Sequence, residues 1–327
     1  MKRIHPLKRF YKTVDSPDIA YKLQNIPSFP YILEFEVTNN CNFHCLMCKT
    51  GMSTAKRERG YMSCDTYKKI IDEIKGKQIA LKFVGQGEPL LHPNFPEFVK
   101  EAEENGIVCH LTTNASLLDE DMMDKLFSAG LESIKFSFQG VTREGYLEMR
   151  QKDNFEQLMN TIGKLYNKRG NKERPYITIH TTVTDESEKQ IETFRERAQA
   201  ISDEVQIGKT TLEFMELENV SNLESRERLA ALKKRETLKK VRYNCCNQVF
   251  DVMTVRWNGD ISACCADNDG VMTIGNVKDN SLLELWNGTK LQSYRSILKD
   301  NRFNDLPLCK DCYDFMGYMQ KENRAGG

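Results

Sequence analysis

Three cysteines within eight residues, Cys41, Cys45 and Cys48, pose the first chemical question. They stand as C-x3-C-x2-C in Asn39-Asn40-Cys41-Asn42-Phe43-His44-Cys45-Leu46-Met47-Cys48, directly beyond a β-rich run. Three thiolates can hold three corners of a [4Fe–4S] cube and leave the fourth iron without a protein ligand. An iron with an open position can bind and activate a substrate, much as a three-ligand zinc site can. Structural zinc is the competing reading. It wants four protein ligands, and His44 is poorly placed to join its neighbour Cys45 as a chelate.

Six more cysteines gather late in the chain, at Cys245, Cys246, Cys264, Cys265, Cys309 and Cys312. Cys246-x17-Cys264 followed by Cys309-Lys310-Asp311-Cys312 supplies four further thiolates, and only Cys64 and Cys109 stand apart. A zinc ribbon would normally show two close C-x2-C pairs, and only Cys309/Cys312 qualifies. The N-terminus is basic without the apolar run of a secretory signal, and no stretch approaches the ~20 apolar residues of a membrane span. A cytoplasmic location is therefore expected, where structural disulfides are disfavoured. Clustered cysteines in that setting read as metal ligation. The 47 basic and 47 acidic residues balance, so no bulk field favours nucleic acid or an acidic membrane.

Repeated β/α units must position these loops. Strands are expected over 32–38, 79–85, 107–113, 133–138, 176–183 and 205–214, and helices over 65–75, 95–105, 120–129, 155–169 and 187–200. Strand–helix repetition of this kind argues for a parallel sheet. Six units make an α/β fold with an open, partial (β/α)6 barrel. The charged segment 217–244 reads as an exposed linker helix with a solvated face. Beyond it, runs at 249–257 and 260–263 flank Asn258-Gly259, a strong hairpin signal. Two short helices, near 281–286 and 290–298, complete a smaller C-terminal domain. The expected division is an extension over 1–30, a core over 31–216, the linker, and the small domain over 245–327.

With the cysteine motif, its place after the first strand and the segments that follow, the chain resembles the radical S-adenosylmethionine (SAM) superfamily. That resemblance implies that Cys41, Cys45 and Cys48 bind a [4Fe–4S] cluster whose open iron is chelated by SAM. Met47 stands where the family often has an aromatic residue against adenine, and methionine is a softer apolar contact. Gly85-Gln86-Gly87-Glu88-Pro89 resembles the family's Gly-Gly-Glu-Pro turn, which implies contacts of the backbone and Glu88 with the SAM ammonium. Thr113 and Asn114 are then expected beside the methionine moiety. Ser137 and Gln139 are expected near the ribose, although many relatives have Asp at the latter position. The segment 180–183 should lie near adenine, with His180 more simply a strand histidine. All fall at strand C-terminal ends, where β/α folds place their sites.

The late cysteines and their hairpin resemble the auxiliary-cluster domain of the SPASM/twitch branch, with one further [4Fe–4S] cluster. The ligands so implied are Cys246, Cys264, Cys309 and Cys312. Cys245 and Cys265 are left as candidate hydrogen-atom donors, or as small buried hydrophobes.

The resemblance implies an enzyme that cleaves SAM reductively and takes a hydrogen atom from a small polar substrate such as a sugar, aminocyclitol or nucleotide sugar. The outcome would be dehydrogenation or epimerisation. An electron donor such as flavodoxin or ferredoxin is the expected partner. A peptide-modifying maturase is the alternative, against which the ~30 residues before the first strand are too few for a folded peptide-recognition domain. A metal-binding scaffold without catalysis is a further alternative, and it has no need of the Gly87-Glu88-Pro89 turn. Glu34, Glu36 and Arg256 lie near the same loops, with nothing in the sequence to single them out.

Overall fold

The structure is a computed structural model, and it describes residues 3–11, 19–212, 215–237, 240–242, 246, 248–312 and 316–318. A short helix α1 (Ile19–Gln24) precedes β1 (Ile32–Phe35). Then follow α2 (Cys64–Ile74), β2 (Ala80–Phe83), α3 (Phe95–Glu104), β3 (Val108–Thr113), α4 (Glu120–Ser128) and β4 (Ser133–Ser137). The barrel ends with α5 (Arg143–Arg150), α6 (Phe155–Arg169), β5 (Tyr176–Val183), α7 (Glu188–Gln199) and β6 (Glu204–Lys209). The strands lie side by side in chain order and are all parallel.

Alternation along the strands explains the two faces. Leu33, Phe35, Leu81, Phe83, Leu111, Ile134, Phe136, Ile177 and Ile179 are buried in one continuous core with the helices. Glu34, Lys82, His110, Lys135 and Thr178 occupy the alternate positions and line cavities on the other face. Helix starts are fixed locally. The Ser63 and Asp119 side chains cap α2 and α4, and Ser187 with Gln190 forms a capping box on α7.

Past the barrel come α8 (Leu223–Thr237), β7 (Lys240–Arg242), α9 (Gln248–Asp251), β8 (Val252–Val255), β9 (Asp260–Ser262) and β10 (Thr273–Asn276). Helices α10 (Leu282–Asn287) and α11 (Thr289–Lys299) and strand β11 (Met316–Tyr318) end the chain's described elements. The hairpin β8–β9 turns at Asn258-Gly259, with Gly259 at φ +88° as such a turn requires. Strand β8 pairs in parallel with β1, placing Val252 beside Ile32 and Thr254 beside Glu34. One nine-stranded sheet therefore runs β10-β9-β8-β1-β2-β3-β4-β5-β6. Strands β7 and β11 form a separate antiparallel pair. Among the described residues no helix is long and apolar enough to cross a membrane.

Four expectations change. The strand expected over 205–214 ends at Lys209. The run expected over 249–257 begins as the helical turn Gln248–Asp251 before the strand. Segment 217–244 is not one solvated helix. It comprises a 3-10 turn Leu217–Asn219, α8 and β7, and Leu229 on α8 is fully buried with Leu46, Met149, Leu212, Met215 and Val220. A stripe that narrow drives packing although the helix is highly charged. Helix α5 and strand β10 were not expected at all.

Candidate functional site

The cysteine loop leaves the C-terminal end of β1 and is tied down before it reaches its thiols. The Asn40 amide donates to Thr38 Oγ1 at 3.0 Å, and the Thr38 hydroxyl donates to the Gly60 carbonyl at 2.6 Å. Leu46 N–H donates to the Met149 carbonyl at 2.9 Å, which joins the loop to the end of α5. Burial pushes the Cys41 thiol up to about 11. It raises Cys45 as well, against the opposing charge of Arg150. Three soft sulfur donors on one loop suit an iron–sulfur group, whose binding would draw off their protons. Among the described residues no group of three Cys, His, Asp or Glu side chains is placed to hold a single metal ion.

The turn at Gly85–Pro89 presses directly on this loop. A Cβ on Gly87 would stand 2.4 Å from the Thr38 carbonyl oxygen and 2.5 Å from that of Asn40. Glu88 N–H donates to the same Asn40 carbonyl at 2.8 Å. The Glu88 carboxylate faces inward. It accepts from Thr113 Oγ1 and Asn114 N–H, each at 2.7 Å, and from Leu90 N–H at 3.1 Å. Burial raises its pKa despite those bonds. Thr113 is thus a partner of Glu88, and Glu88 braces the turn against the end of β3. Asn114 Nδ2 donates to Asn42 Oδ1 at 3.0 Å and returns the brace to the cysteine loop. Backbone and glycine surface form this corner, and Met47, Gly85 and Gln86 stand on the wall of a cavity beside it.

Gln139 is buried and engaged. Its amide donates to the Thr182 carbonyl at 3.1 Å and to the Thr210 hydroxyl, and its oxygen accepts from Thr182 Oγ1 at 2.7 Å. It clamps the ends of β4, β5 and the segment after β6. The Ser137 carbonyl accepts from Arg150, whose guanidinium also lies 3.5 Å from Cys45 Sγ. Arg150 was missed in the sequence. The only signal is its position four residues after Tyr146, on the buried face of a helix that was not expected. His180 is half-buried, and burial, Lys135 and Arg150 lower its pKa to about 4, so its imidazole is neutral.

Glu36 joins the cysteine-loop region to the late cysteines. Arg57 donates to both of its oxygens at 2.8 Å, Arg256 at 3.3 Å and the Gln86 amide at 3.2 Å. Arg256 in turn donates to the carbonyls of Cys264, Cys265 and Asp267. Cys309, Cys312 and Cys265 all lie close enough to raise the buried Cys246 thiol further. Cys245 lies outside the described residues. A cavity of about 290 Å³ opens between the two cysteine groups. Met47, Cys48, Gly85 and Gln86 line one side, and Thr254, Arg256, Cys265 and Asn268 the other, with Glu34 between them.

A family model described as the radical SAM superfamily matches residues 35–198. The chain belongs to the radical SAM superfamily. A second model, an iron-sulfur cluster-binding domain of SPASM type, matches residues 245–313 of this radical SAM enzyme. The tungsten-containing aldehyde ferredoxin oxidoreductase cofactor-modifying protein of Pyrococcus furiosus is 24% identical over 319 residues, covering 86% of each chain. The crystal structure of BtrN in complex with AdoMet and 2-DOIA superposes with TM-score 0.55 at 18% identity, over 86% of this chain and 92% of that one. Streptococcus suis SuiB bound to precursor peptide SuiA superposes with TM-score 0.65 at 19% identity, over 85% of this chain and 69% of SuiB. Membership implies SAM, the [4Fe–4S] cluster that binds it, and further iron–sulfur ligation in the SPASM region. The paired thiols and the close glycine turn fit both groups.

Proposed function

We propose that this radical SAM enzyme takes a hydrogen atom from a small polar substrate, a sugar, aminocyclitol or nucleotide sugar, and dehydrogenates or epimerises it. The cavity carries this reading, because its walls come from the SAM turn on one side and the late cysteines on the other. With clusters and SAM bound, these groups would supply the one-electron chemistry that removes a hydrogen atom from the substrate. The protein's own residues then hold and isolate the reacting carbon. Cys41, Cys45 and Cys48 would hold the first cluster, and Cys246, Cys264, Cys309 and Cys312 the second. Met47, Gly85, Gln86, Gly87 and Pro89 would contact SAM, while Glu88, Thr113, Asn114, Ser137 and Gln139 would shape its site. Cys265 lines the chamber and is the candidate to return a hydrogen atom in an epimerisation. In a dehydrogenation the same thiol would be a bystander, and the substrate radical would lose its second electron to the iron–sulfur group held by the late cysteines and its proton to a base. Flavodoxin or ferredoxin would supply the electron.

The nearly complete overlap with BtrN, solved with 2-DOIA, and the cofactor-directed name of the full-length relative support a small substrate. The likeness to SuiB, solved with a precursor peptide, favours peptide modification as the second reading. Anaerobic reconstitution followed by iron and sulfide counting tests the shared premise. About eight irons are expected per chain, falling to about four when Cys41, Cys45 and Cys48 become alanine, with loss of 5′-deoxyadenosine formation. Bound zinc and no SAM cleavage would overturn it.

A further inference from the structure

Across three adjacent parallel strands, Lys82, Glu34 and Thr254 are register partners, so their side chains form one row on the same face of the sheet. Lys82 Nζ donates to Glu34 Oε1 at 3.0 Å. The other carboxylate oxygen, Glu34 Oε2, is buried and has no hydrogen-bond partner. The Thr254 hydroxyl is in the same state, as are Asn268 Oδ1 and Arg256 Nε. All four residues line the chamber between the SAM turn and the late cysteines. A buried donor or acceptor left unpaired costs about 1–3 kcal/mol, and protein interiors leave few. Four such atoms around one chamber mark where a ligand's polar groups belong.

We infer that Glu34 and Thr254 orient the substrate of this chamber, and that this substrate is a neutral compound with adjacent hydroxyl groups. The inference rests on the reading of the chamber as the substrate site and narrows it. Charge decides against a cationic ligand. Glu34 is the only carboxylate on the chamber wall among the described residues, and Lys82 already neutralises it. Burial works to lower the Lys82 pKa, yet the charge and hydrogen bond of Glu34, with Tyr11 and Cys265 nearby, together outweigh it and raise it. Lys135 lies near both, and Lys49 and Arg256 border the chamber with their own partners Asp269 and Glu36. An incoming ammonium would find no unpaired carboxylate on the described chamber wall.

Hydroxyl groups fit the open atoms because each both donates and accepts. One can donate to Glu34 Oε2 while its neighbour exchanges a bond with Thr254. Adjacent strands set those two residues about 4.8 Å apart, a gap that two neighbouring ring hydroxyls bridge. Glu34 and Thr254 are positioning residues in this account, and Arg256 and Asn268 complete the polar rim.

Calorimetric titration of the reconstituted holoprotein, with SAM present, tests the inference using myo-inositol and glucosamine hydrochloride as probes. Wild type is expected to bind myo-inositol, and Glu34→Gln to bind it about tenfold more weakly. Thr254→Val, which preserves side-chain shape, should weaken binding several-fold, and Thr254→Ser should restore it. Absence of myo-inositol binding, equal binding by the Gln and Val variants, or preference for protonated glucosamine would each overturn the inference. Wild type is assayed for SAM cleavage in parallel. Failure to cleave SAM strikes the proposed function itself, whereas cleavage without polyol binding strikes this inference alone.

Discussion

Glu36, itself buried, sits under three elements at once, accepting from the half-buried Arg57, the buried Arg256 and the Gln86 amide. Burial acts to raise its pKa, but the bonds from Arg57, the charge of Arg256 and the Gln86 amide outweigh it and hold the carboxyl below its ordinary 4.5. A folded pKa below the unfolded value means stabilisation that is present above pH 4.5 and lost as pH falls through the depressed folded value. Thermal melts across that acid range should show the loss in wild type and a flatter profile in Glu36→Gln. At neutral pH the variant leaves two guanidinium groups undercompensated, at a cost of about 3–5 kcal/mol. An unchanged acid limb in the variant would remove Glu36 as its source. Arg150 supports a second prediction. Its guanidinium lies 3.5 Å from Cys45 Sγ and is buried, so its charge favours the reduced, more negative cluster. Arg150→Met should shift the midpoint potential of the first cluster downward in a redox titration, and Arg150→Lys should shift it less. The cysteine triad and the Gly-x-Gly-Glu-Pro turn were legible because their chemistry lies in local spacing. Arg150 and the paired Glu34–Thr254 were not, because each acquires meaning only when distant elements are brought into register.

Helix α8 illustrates how composition misleads at the scale of an element. Its charge suggests a solvated connector, yet Leu229 is fully buried against Leu46 of the cysteine loop and Met149 of α5. Lys233 adds a bond from Nζ to the Met215 carbonyl at 2.8 Å. Leu229→Ala should therefore cost about 2–5 kcal/mol, the range for emptying a packed leucine site. The measurable sign is a lower melting temperature together with faster loss of iron to a chelator, since the same leucine buttresses the loop that carries Cys45. A purely exposed helix would show neither. Most barrel strands and helices were readable from the repeat of β-rich and helical runs, and the hairpin from Asn258-Gly259. Val249 and Phe250 were misread as strand because a short apolar run has no period of its own, and here they are buried in the helical turn before β8. The turn is packed beside α11, where Arg295 Nε donates to the Val249 carbonyl at 2.8 Å.

At the scale of the whole molecule, the late region is built into the barrel. Strand β8 pairs with β1 along its full length. The buried pair Lys22–Asp251 at 3.4 Å, Trp286 Nε1 donating to the Pro27 carbonyl at 2.8 Å, and Leu282 N–H donating to Glu73 at 2.7 Å add links on the same side. Trp257 Nε1 also reaches the Glu58 carbonyl at 3.2 Å, beyond the cysteine loop. Elements joined by a shared sheet and a common core open together, whereas a docked domain can release first. Hydrogen exchange on the intact holoprotein should accordingly give the amides of 32–35 and 252–255 similar opening free energies, falling in parallel as denaturant is added. Earlier exchange of β8, with β1 still protected, would mean that the late region separates on its own. The distinction reaches function, because Glu34 and Thr254 face one chamber only while β1 and β8 stay paired. If the two strands open as a unit, the spacing between the Gly85–Pro89 turn and the late cysteines is fixed by the sheet.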